Sequence, residues 1–252
     1  MKPSGNTILI TGGGSGIGRE LAREFHALGN TIIVAGRRAG SLEETIGERD
    51  NMHARTLDVT DAADIARFAK ELIADFPALN TVFNNAGIMA KEDWLTDPVD
   101  LAIAEATVAT NILGPIRLTA ALLPHLRAQP VARVVNVTSG LAFVPLAHTP
   151  TYSASKAAMH AWTQSLRYLL RDTNVELVEL APPGVQTDLT PGQATRDNYM
   201  PLKDFIAETM ESFSIEDTPE EVVVQHAKML RAAEANGKHA EIFQTLNAAY
   251  QG

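Results

Sequence analysis

Thr7-Ile8-Leu9-Ile10-Thr11-Gly12-Gly13-Gly14-Ser15-Gly16-Ile17-Gly18 holds the key to the fold. Thr7 to Thr11 reads as a short, fully buried strand, because its apolar run is continuous rather than alternating. A helical pattern starts at Ile17 and runs to Leu28, with Gly29 as a C-cap. The glycines between them let the backbone turn tightly and approach a ligand closely. The helix N-terminus beyond them offers free N–H groups and a partial positive charge to a pyrophosphate. A glycine-rich loop alone also fits a tight structural turn, but the strand–loop–helix context favours dinucleotide binding. Gly12, Ser15, Gly16, Ile17 and Gly18 are the candidate contacts. An NTPase loop would need Lys and Ser or Thr after Gly18, where Arg19 and Glu20 stand. Ser15 is no nucleophile elbow either, since Ile17 occupies the place of the second glycine.

The same rhythm continues outward. Thr31 to Ala35, Leu79 to Phe83, Arg133 to Thr138 and Val175 to Leu180 read as further buried strands, and His53 to Leu57 as a weaker one. Helical stretches lie between them: Thr60-Asp61 opens one that runs to Asp75, Asp97-Pro98 opens another with Pro in its first turn, and Ser153 to Leu170 forms a third. Repeated strand–helix units specify a parallel sheet with right-handed crossovers. The 252 residues are uninterrupted by repeats or linkers, which predicts one doubly wound α/β domain over 1–252. Residues 185–219 form a long polar excursion with a short helix-like run from Leu202 to Phe213. Such excursions are usually functional or mobile.

Lys and Arg total 21 against 30 Asp and Glu, a net charge of -9. That excludes the basic surface a nucleic-acid binder needs and the polybasic signature of an anionic-membrane binder. With no cysteine, disulfides, thiolate nucleophiles, iron–sulfur clusters and Cys-based zinc sites are excluded. No apolar run reads as a signal peptide or membrane span, so the expectation is a soluble, cytoplasmic protein.

The second strand ends Ala35-Gly36-Arg37-Arg38. An acidic residue at this point would bond the ribose hydroxyls of NAD, whereas a cation accepts the 2′-phosphate of NADP. With no carboxylate and two arginines, NADP is favoured over NAD; the alternative is that both are solvated loop charges. Asp58 lies either at the adenine edge or in a helix-capping turn before Thr60 and Asp61. Tyr152 and Lys156, four residues apart, share one helical face. A nearby ammonium favours the phenolate, bringing a tyrosine toward a useful range for proton transfer. Ser139 and the run Asn84-Asn85-Ala86-Gly87 fall at strand ends, the ligand edge of open sheets.

Together these elements resemble the short-chain dehydrogenases/reductases over about residues 5–245, in that family's order and approximate spacing: Thr11 to Gly18, Asp58-Val59, Asn84 to Gly87, Asn111, Ser139 and Tyr152 to Lys156. The resemblance implies a seven-stranded, mostly parallel Rossmann sheet with helices on both faces. It implies Tyr152 as general acid/base, Ser139 holding the substrate oxygen, and Lys156 binding the nicotinamide ribose and lowering the tyrosine pKa. It also implies Asn111 holding a relay water through its main-chain carbonyl. Asp58, Val59, Asn85, Ala86 and Gly87 would line the cofactor, with Val185 and Thr187 at its carboxamide. Pro115 supplies a physical argument for Asn111: proline has no N–H, so the carbonyl four residues back loses its helical partner. The alternative is a kink that serves packing alone.

One departure from the family pattern is Pro183, which stands where a glycine is usual after the sixth strand. The run Ala181 to Leu189 resembles a subgroup of bacterial oxidoreductases associated with D-alanylation of teichoic acids, which supplies no substrate. The expected pocket wall is Leu141, Phe143, Val144 and His148, with some of Tyr199, Phe205, Met210 and Phe213, each of which also fits a core or interface role. Arg196 and Lys203 are candidate carboxylate anchors or solvated charges. No histidines and carboxylates stand at metal-ligand spacing, so no catalytic metal is expected.

The expected activity is hydride transfer between NADP(H) and a small carbonyl or alcohol substrate. A dinucleotide-binding sensor without turnover and an epimerase are the alternatives. Apolar residues in excess on 100–126 and 153–170, among them Ile112, Leu113, Ile116, Leu118, Leu122, Trp162, Leu166 and Leu169, predict a homodimer or homotetramer.

Overall fold

The computed structural model describes residues 2–215 and 218–249. Seven strands form one sheet in the order β3-β2-β1-β4-β5-β6-β7, with every neighbouring pair parallel. They are β1 (Thr7–Thr11), β2 (Thr31–Gly36), β3 (Met52–Thr56), β4 (Leu79–Asn84), β5 (Ala132–Val137), β6 (Val175–Leu180) and β7 (Glu221–Val222). The chain runs outward from β1 to β3, then crosses back to lay β4 on the other side of β1. That reversal opens a crevice at the carboxyl ends of β1 and β4, where ligands bind in open α/β sheets.

Both faces of the sheet are covered, which explains the unbroken apolar strands. Along β1, Ile8 and Ile10 point to one core layer, with Phe25, Phe83, Phe205 and Phe213. Leu9 points to the other, with Ile33, Phe68, Leu118 and Leu122. Alternate side chains of one strand thus feed two cores. The first layer is closed by α1 (Gly16–Ala27), α2 (Ala39–Ile46) and α7 (Leu202–Ser214). The second is closed by α3 (Ala62–Asp75), α5 (Gly114–Ala128) and α6 (Pro150–Leu170).

Gly29 takes φ +86° and closes α1 by donating its N–H to the His26 carbonyl at 2.8 Å. Asp61 caps α3, accepting from the N–H groups of Ala63 and Asp64, a bond worth about 1 kcal/mol. Pro98 does not sit in a first helical turn as its sequence position predicts. Helix α4 (Ala102–Val108) starts later, after Asp100, whose carboxylate accepts from Ala102 N at 2.9 Å and so fixes the start. Pro115 is preceded by a turn of π-helix, Ala109–Leu113, that joins α4 to α5 without a break. The resulting helix, Ala102–Ala128, is long and apolar enough to span a membrane by length and composition alone, contrary to the expectation that no such run exists. Leu118, Leu122 and Leu126 on it are fully buried in the sheet's second core layer.

The excursion after β6 is ordered by a bridge between Val185 and Met200 and by α7. It leads through β7 to α8 (Gln225–Arg231) and α9 (His239–Ala248).

Candidate active site

The crevice at the strand ends is a cleft of about 460 Å³. The fold gathers into its wall every residue expected to contact a dinucleotide: Gly12, Ser15 to Gly18, Arg37, Arg38, Asp58, Val59, Asn85 to Gly87, Tyr152, Lys156, Val185 and Thr187. Ser139 joins them. Ser41, Thr110, Asp188 and Gln193 also line it; no local pattern marks them in the sequence.

The glycine loop packs so closely on its neighbours that side chains would not fit. Gly12 has φ +67°, and a Cβ there would stand 2.9 Å from Ala86 Cα and 2.9 Å from Asn85 Nδ2. Gly16 has φ +53° and faces Thr187, whose Cβ a methyl would meet at 3.4 Å. Ser15 precedes α1 with extended backbone and makes no side-chain cap, leaving the first N–H groups of the helix open to the cleft. The β1 and β4 ends are pinned together. Thr11 Oγ1 donates to the Phe83 carbonyl and accepts from Asn85 N and Ala86 N, each at 3.1 Å. Asn85 Nδ2 donates to the Thr11 carbonyl at 2.9 Å.

Arg37 and Arg38 are exposed at the mouth, and neither has an ion-pair partner among the described residues. Asp58 does line the cleft, and it also builds a turn, accepting from Thr60 N at 2.9 Å and Thr60 Oγ1 at 2.7 Å. Those two bonds, ahead of the Arg37 charge, hold its carboxyl below the usual range. The helix cap itself is Asp61.

Asn111 does not line the cleft but stands one layer behind it. Its Oδ1 accepts from Ile88 N and its Nδ2 donates to the Ile88 carbonyl, both at 2.9 Å, with a further bond to Ser155 Oγ at 3.2 Å. The side chain thus clamps the chain after β4 to α6, while Pro115 removes the α-helical donor from its carbonyl. A π turn at this position is common at functional sites.

Ser139 lies two residues past β5. Its Oγ accepts from Leu141 N at 3.1 Å, which leaves its O–H to donate. Tyr152 sits in the first turn of α6 because Pro150 starts the helix three residues earlier than the sequence predicts. Glu92 holds that turn from 59 positions away, accepting from Thr151 N at 2.9 Å and Thr151 Oγ1 at 2.7 Å. Burial pushes the Tyr152 phenol up to about 12, against a hydrogen bond from Ser139 that pulls it down. Burial pushes Lys156 down to about 8. Its Nζ donates to the Val137 carbonyl at 2.8 Å and stands 5.5 Å from the centre of the Tyr152 ring. Desolvation is the largest cause acting on the phenol here, and the Lys156 ammonium is not among the charges that shift it.

Behind Ser139, three elements meet on one buried carboxylate. Glu179 on β6 is fully buried, accepts from Thr138 Oγ1 at 2.6 Å and pairs with His160 Nδ1 at 2.7 Å. His160 lies one helical turn beyond Lys156, so Glu179 ties the strand carrying Ser139 to the helix carrying Tyr152. His160, Glu179 and Glu221 present donor atoms within 4.8 Å of one another, a cluster no sequence spacing announces. Arg231 already engages both oxygens of Glu221, at 2.6 and 3.2 Å. The group is a hydrogen-bonded network that includes the Arg231–Glu221 ion pair.

A second cavity, of about 450 Å³, opens on the other side of Ser139 and Tyr152 and shares Met89, Pro183, Leu189 and Gln193 with the cleft. Leu141 and Tyr199 line it as expected; most other predicted wall residues do not. Phe205 and Phe213 are fully buried in the first core layer, with Met210 packed on it. Val144 belongs to a small core under α9. Phe143 packs edge-on against His160. His148 presents its carbonyl to Glu92 N. Arg196 lies outside the lining and donates to the Tyr199 hydroxyl at 3.1 Å. Lys203 is exposed on α7. The wall instead comes from Leu146, Met200 and, above all, α8 and α9.

The family model described as short chain dehydrogenase matches residues 6–198. The chain belongs to the short-chain dehydrogenase family. As a family member it is an oxidoreductase, and it is similar to an uncharacterized oxidoreductase, DltE, of Bacillus subtilis, at 43% identity over 78% of this chain and 77% of that one. Among solved structures, this dehydrogenase superposes on a short-chain dehydrogenase from Burkholderia cenocepacia in complex with NADP, with TM-score 0.81 and 21% identity over 98% and 99% of the two chains. A 3-ketoacyl-(acyl-carrier-protein) reductase from Brucella melitensis complexed with NADH gives TM-score 0.78 and 24% identity over 88% and 96%. At these identities the superpositions speak for the dehydrogenase fold alone.

Proposed function

We propose that this chain is an NADP-dependent, cytoplasmic reductase of carbonyl compounds, or in reverse an alcohol dehydrogenase. The observation that carries the reading is the meeting of two hollows at Ser139 and Tyr152, with a glycine cradle and two unpaired arginines in one of them. The cradle fits a dinucleotide, because its glycines let the loop pack against Ala86 and Asn85 and the open N-terminus of α1 suits a pyrophosphate. Arg37, with Arg38 beside it, would hold the 2′-phosphate through charge-assisted bonds. When bound, the nicotinamide supplies or accepts the hydride.

The chain's own residues do the rest. The Ser139 hydroxyl, whose oxygen accepts from Leu141 N and whose proton is shared with the phenol, turns to hold the substrate oxygen beside Tyr152. Tyr152 gives its proton to that oxygen in reduction and takes it back in oxidation. A phenol held up to about 12 is well stocked with the proton that reduction needs. Lys156, held by the Val137 carbonyl, reaches toward the ribose and supplies the charge that makes phenolate attainable once the cleft is filled. The Asn111 carbonyl, denied an α-helical donor by Pro115, would accept from a water between it and Lys156. NADPH and NADH oxidation measured in parallel over a panel of ketones and aldehydes tests the reading; absence of turnover with both cofactors overturns it.

The reading includes a homodimer or homotetramer built on α5 and α6. Leu118 and Leu122 cannot contribute, being fully buried in the core, but Leu113, Tyr168 and Leu169 are exposed, Leu169 at 72%. Sedimentation equilibrium at micromolar concentration checks this; a strict monomer contradicts it.

A further inference from the structure

We propose that the cavity beyond Ser139 and Tyr152 selects a neutral carbonyl compound with a bulky apolar body, and rejects substrates bearing a carboxylate, sulfonate or phosphate. This deepens the proposed function and rests on it.

The first observation is charge. Among the described residues lining the cavity there is no lysine or arginine; the one carboxylate is Glu241 on α9 and the one imidazole is His226 on α8, both exposed. Two arginines close to the lining in sequence are engaged elsewhere, and Lys228, beside Met229, is exposed and outside the lining. Arg231 holds Glu221 through two bonds and stacks over Phe143, and Arg196 donates to the Tyr199 hydroxyl with its guanidinium 5.2 Å from that ring. An anionic group drawn in behind the reacting carbonyl would lose its water and meet no fixed positive charge among the described lining residues, which is strongly unfavourable in an apolar site. The contrast lies within the same crevice: the dinucleotide side carries Arg37 and Arg38, the substrate side none.

The second observation is size and surface. About 450 Å³ is room for a medium-sized organic molecule rather than a two- or three-carbon aldehyde. Leu141, Leu146, Met200, Leu230, Ile242 and Leu246 form most of the wall. Met229, at 63% exposure, and Leu189, at 40%, continue it to the mouth, where an apolar body would cover them. Ser139 and Tyr152 stand together at the inner end, where the carbonyl oxygen belongs, and the other polar side chains of the lining, among them Asn198, Tyr199 and His226, can bond a neutral body but bring no fixed positive charge.

Matched substrates test this. 4-Butylbenzaldehyde and 4-carboxybenzaldehyde share the reacting group and differ in the tail, with acetaldehyde as the size control. The expected result is a kcat/KM at least tenfold higher for the butyl compound than for either other, the advantage over the acid lying mainly in KM. Thr245→Arg, an exposed position in the lining, is expected to raise kcat/KM for the carboxylate at least tenfold with the Kd for NADPH within twofold of wild type. If the carboxylate matches or exceeds the butyl compound in wild type, the proposal falls. If no aldehyde is turned over with either cofactor, the reductase reading falls. The cavity's preference is then read by calorimetry of 4-butylbenzyl alcohol and 4-(hydroxymethyl)benzoate with the protein in NADP. Tighter binding of the butyl alcohol supports the proposal. Equal or tighter binding of the benzoate, or no binding of either at millimolar concentration, overturns it.

Discussion

The cleft around the glycine loop takes its shape from backbone: strand ends, a helix N-terminus and glycines that let the loop pack where no side chain fits. The cavity on the far side of Tyr152 takes its shape from side chains carried on β6's following loop, α8 and α9. The first kind of site admits almost no substitution, since a methyl at Gly12 or Gly18 meets backbone at 2.9 Å or less. The second kind changes its ligand with each side chain and keeps its walls. One fold can therefore hold a common cofactor and serve different substrates, and variants at the seam and on either side can break or sharpen that division.

The largest effect is expected at the seam. Tyr152→Phe should lower turnover by about 10²- to 10⁴-fold, the usual contribution of a positioned acid/base, with the Kd for NADPH changed less than threefold. Near-normal turnover in the folded variant would remove Tyr152 from the chemistry. Equal loss of cofactor binding would mean that the two hollows are not separable.

Next comes the carboxylate that ties the seam together. Glu179→Leu removes a buried group from Thr138 and His160, leaving Thr138 only its long bond to the Leu180 carbonyl at 3.4 Å and His160 Nδ1 without the carboxylate. Breaking such a buried pair costs about 3 kcal/mol, read as a lower urea midpoint with unchanged slope. Unchanged stability would show that the Thr138–Glu179–His160 link carries no load and that β5 and α6 hold their spacing without it.

How differently the two hollows were legible follows from the same division. Backbone-shaped sites need residues at fixed local spacing, so Gly12 to Gly18, Asn85 to Gly87 and Tyr152 with Lys156 announce themselves in the sequence. The sheet is legible for a similar reason: strands covered on both faces read as unbroken apolar runs, as in Ile8 to Ile10. The cavity wall has no such signal. Leu230, Ile242 and Leu246 look like ordinary amphipathic helix residues, and only the tertiary fold brings them opposite Leu141. Phe205 and Phe213 were equally plausible as wall or core, and packing against Phe25 and Phe83 made them core. Glu92 and Glu179 act on Tyr152 and Ser139 from distant parts of the chain, which no spacing encodes.

A smaller effect is expected on the dinucleotide side. A charge-assisted bond from Arg37 to the 2′-phosphate is worth about 1.5–3 kcal/mol, so Arg37→Ala should weaken NADPH binding by roughly ten- to a hundredfold and leave NADH nearly unchanged. Arg38 can share the contact and reduce the loss. Gly36→Asp should add repulsion against the same phosphate. Titration of both cofactors checks this; equal weakening of both by Arg37→Ala would make the arginines plain surface charge.

The smallest expected effect is a fraction of a proton, and it reports on Lys156. Burial lowers its pKa to about 8 from an ordinary 10.5. Between those values the unfolded chain holds the proton and the native protein does not, so this group's contribution to stability rises with pH across that window. A dinucleotide in the cleft brings phosphate charge and ribose hydroxyls beside Nζ, which favour the ammonium. Binding at pH 8–9 should therefore take up part of a proton, and binding near pH 6, where Lys156 is already charged, should take up none through this group. The 2′-phosphate does not confuse the reading at pH 8–9, because the second pKa of a phosphate monoester, about 6, lies well below that range. Calorimetric titration of NADP at pH 8.5 in buffers of different ionisation enthalpy measures the uptake. Lys156→Met should abolish it; uptake that persists in that variant would move the linked proton to another group and leave Lys156 charged throughout.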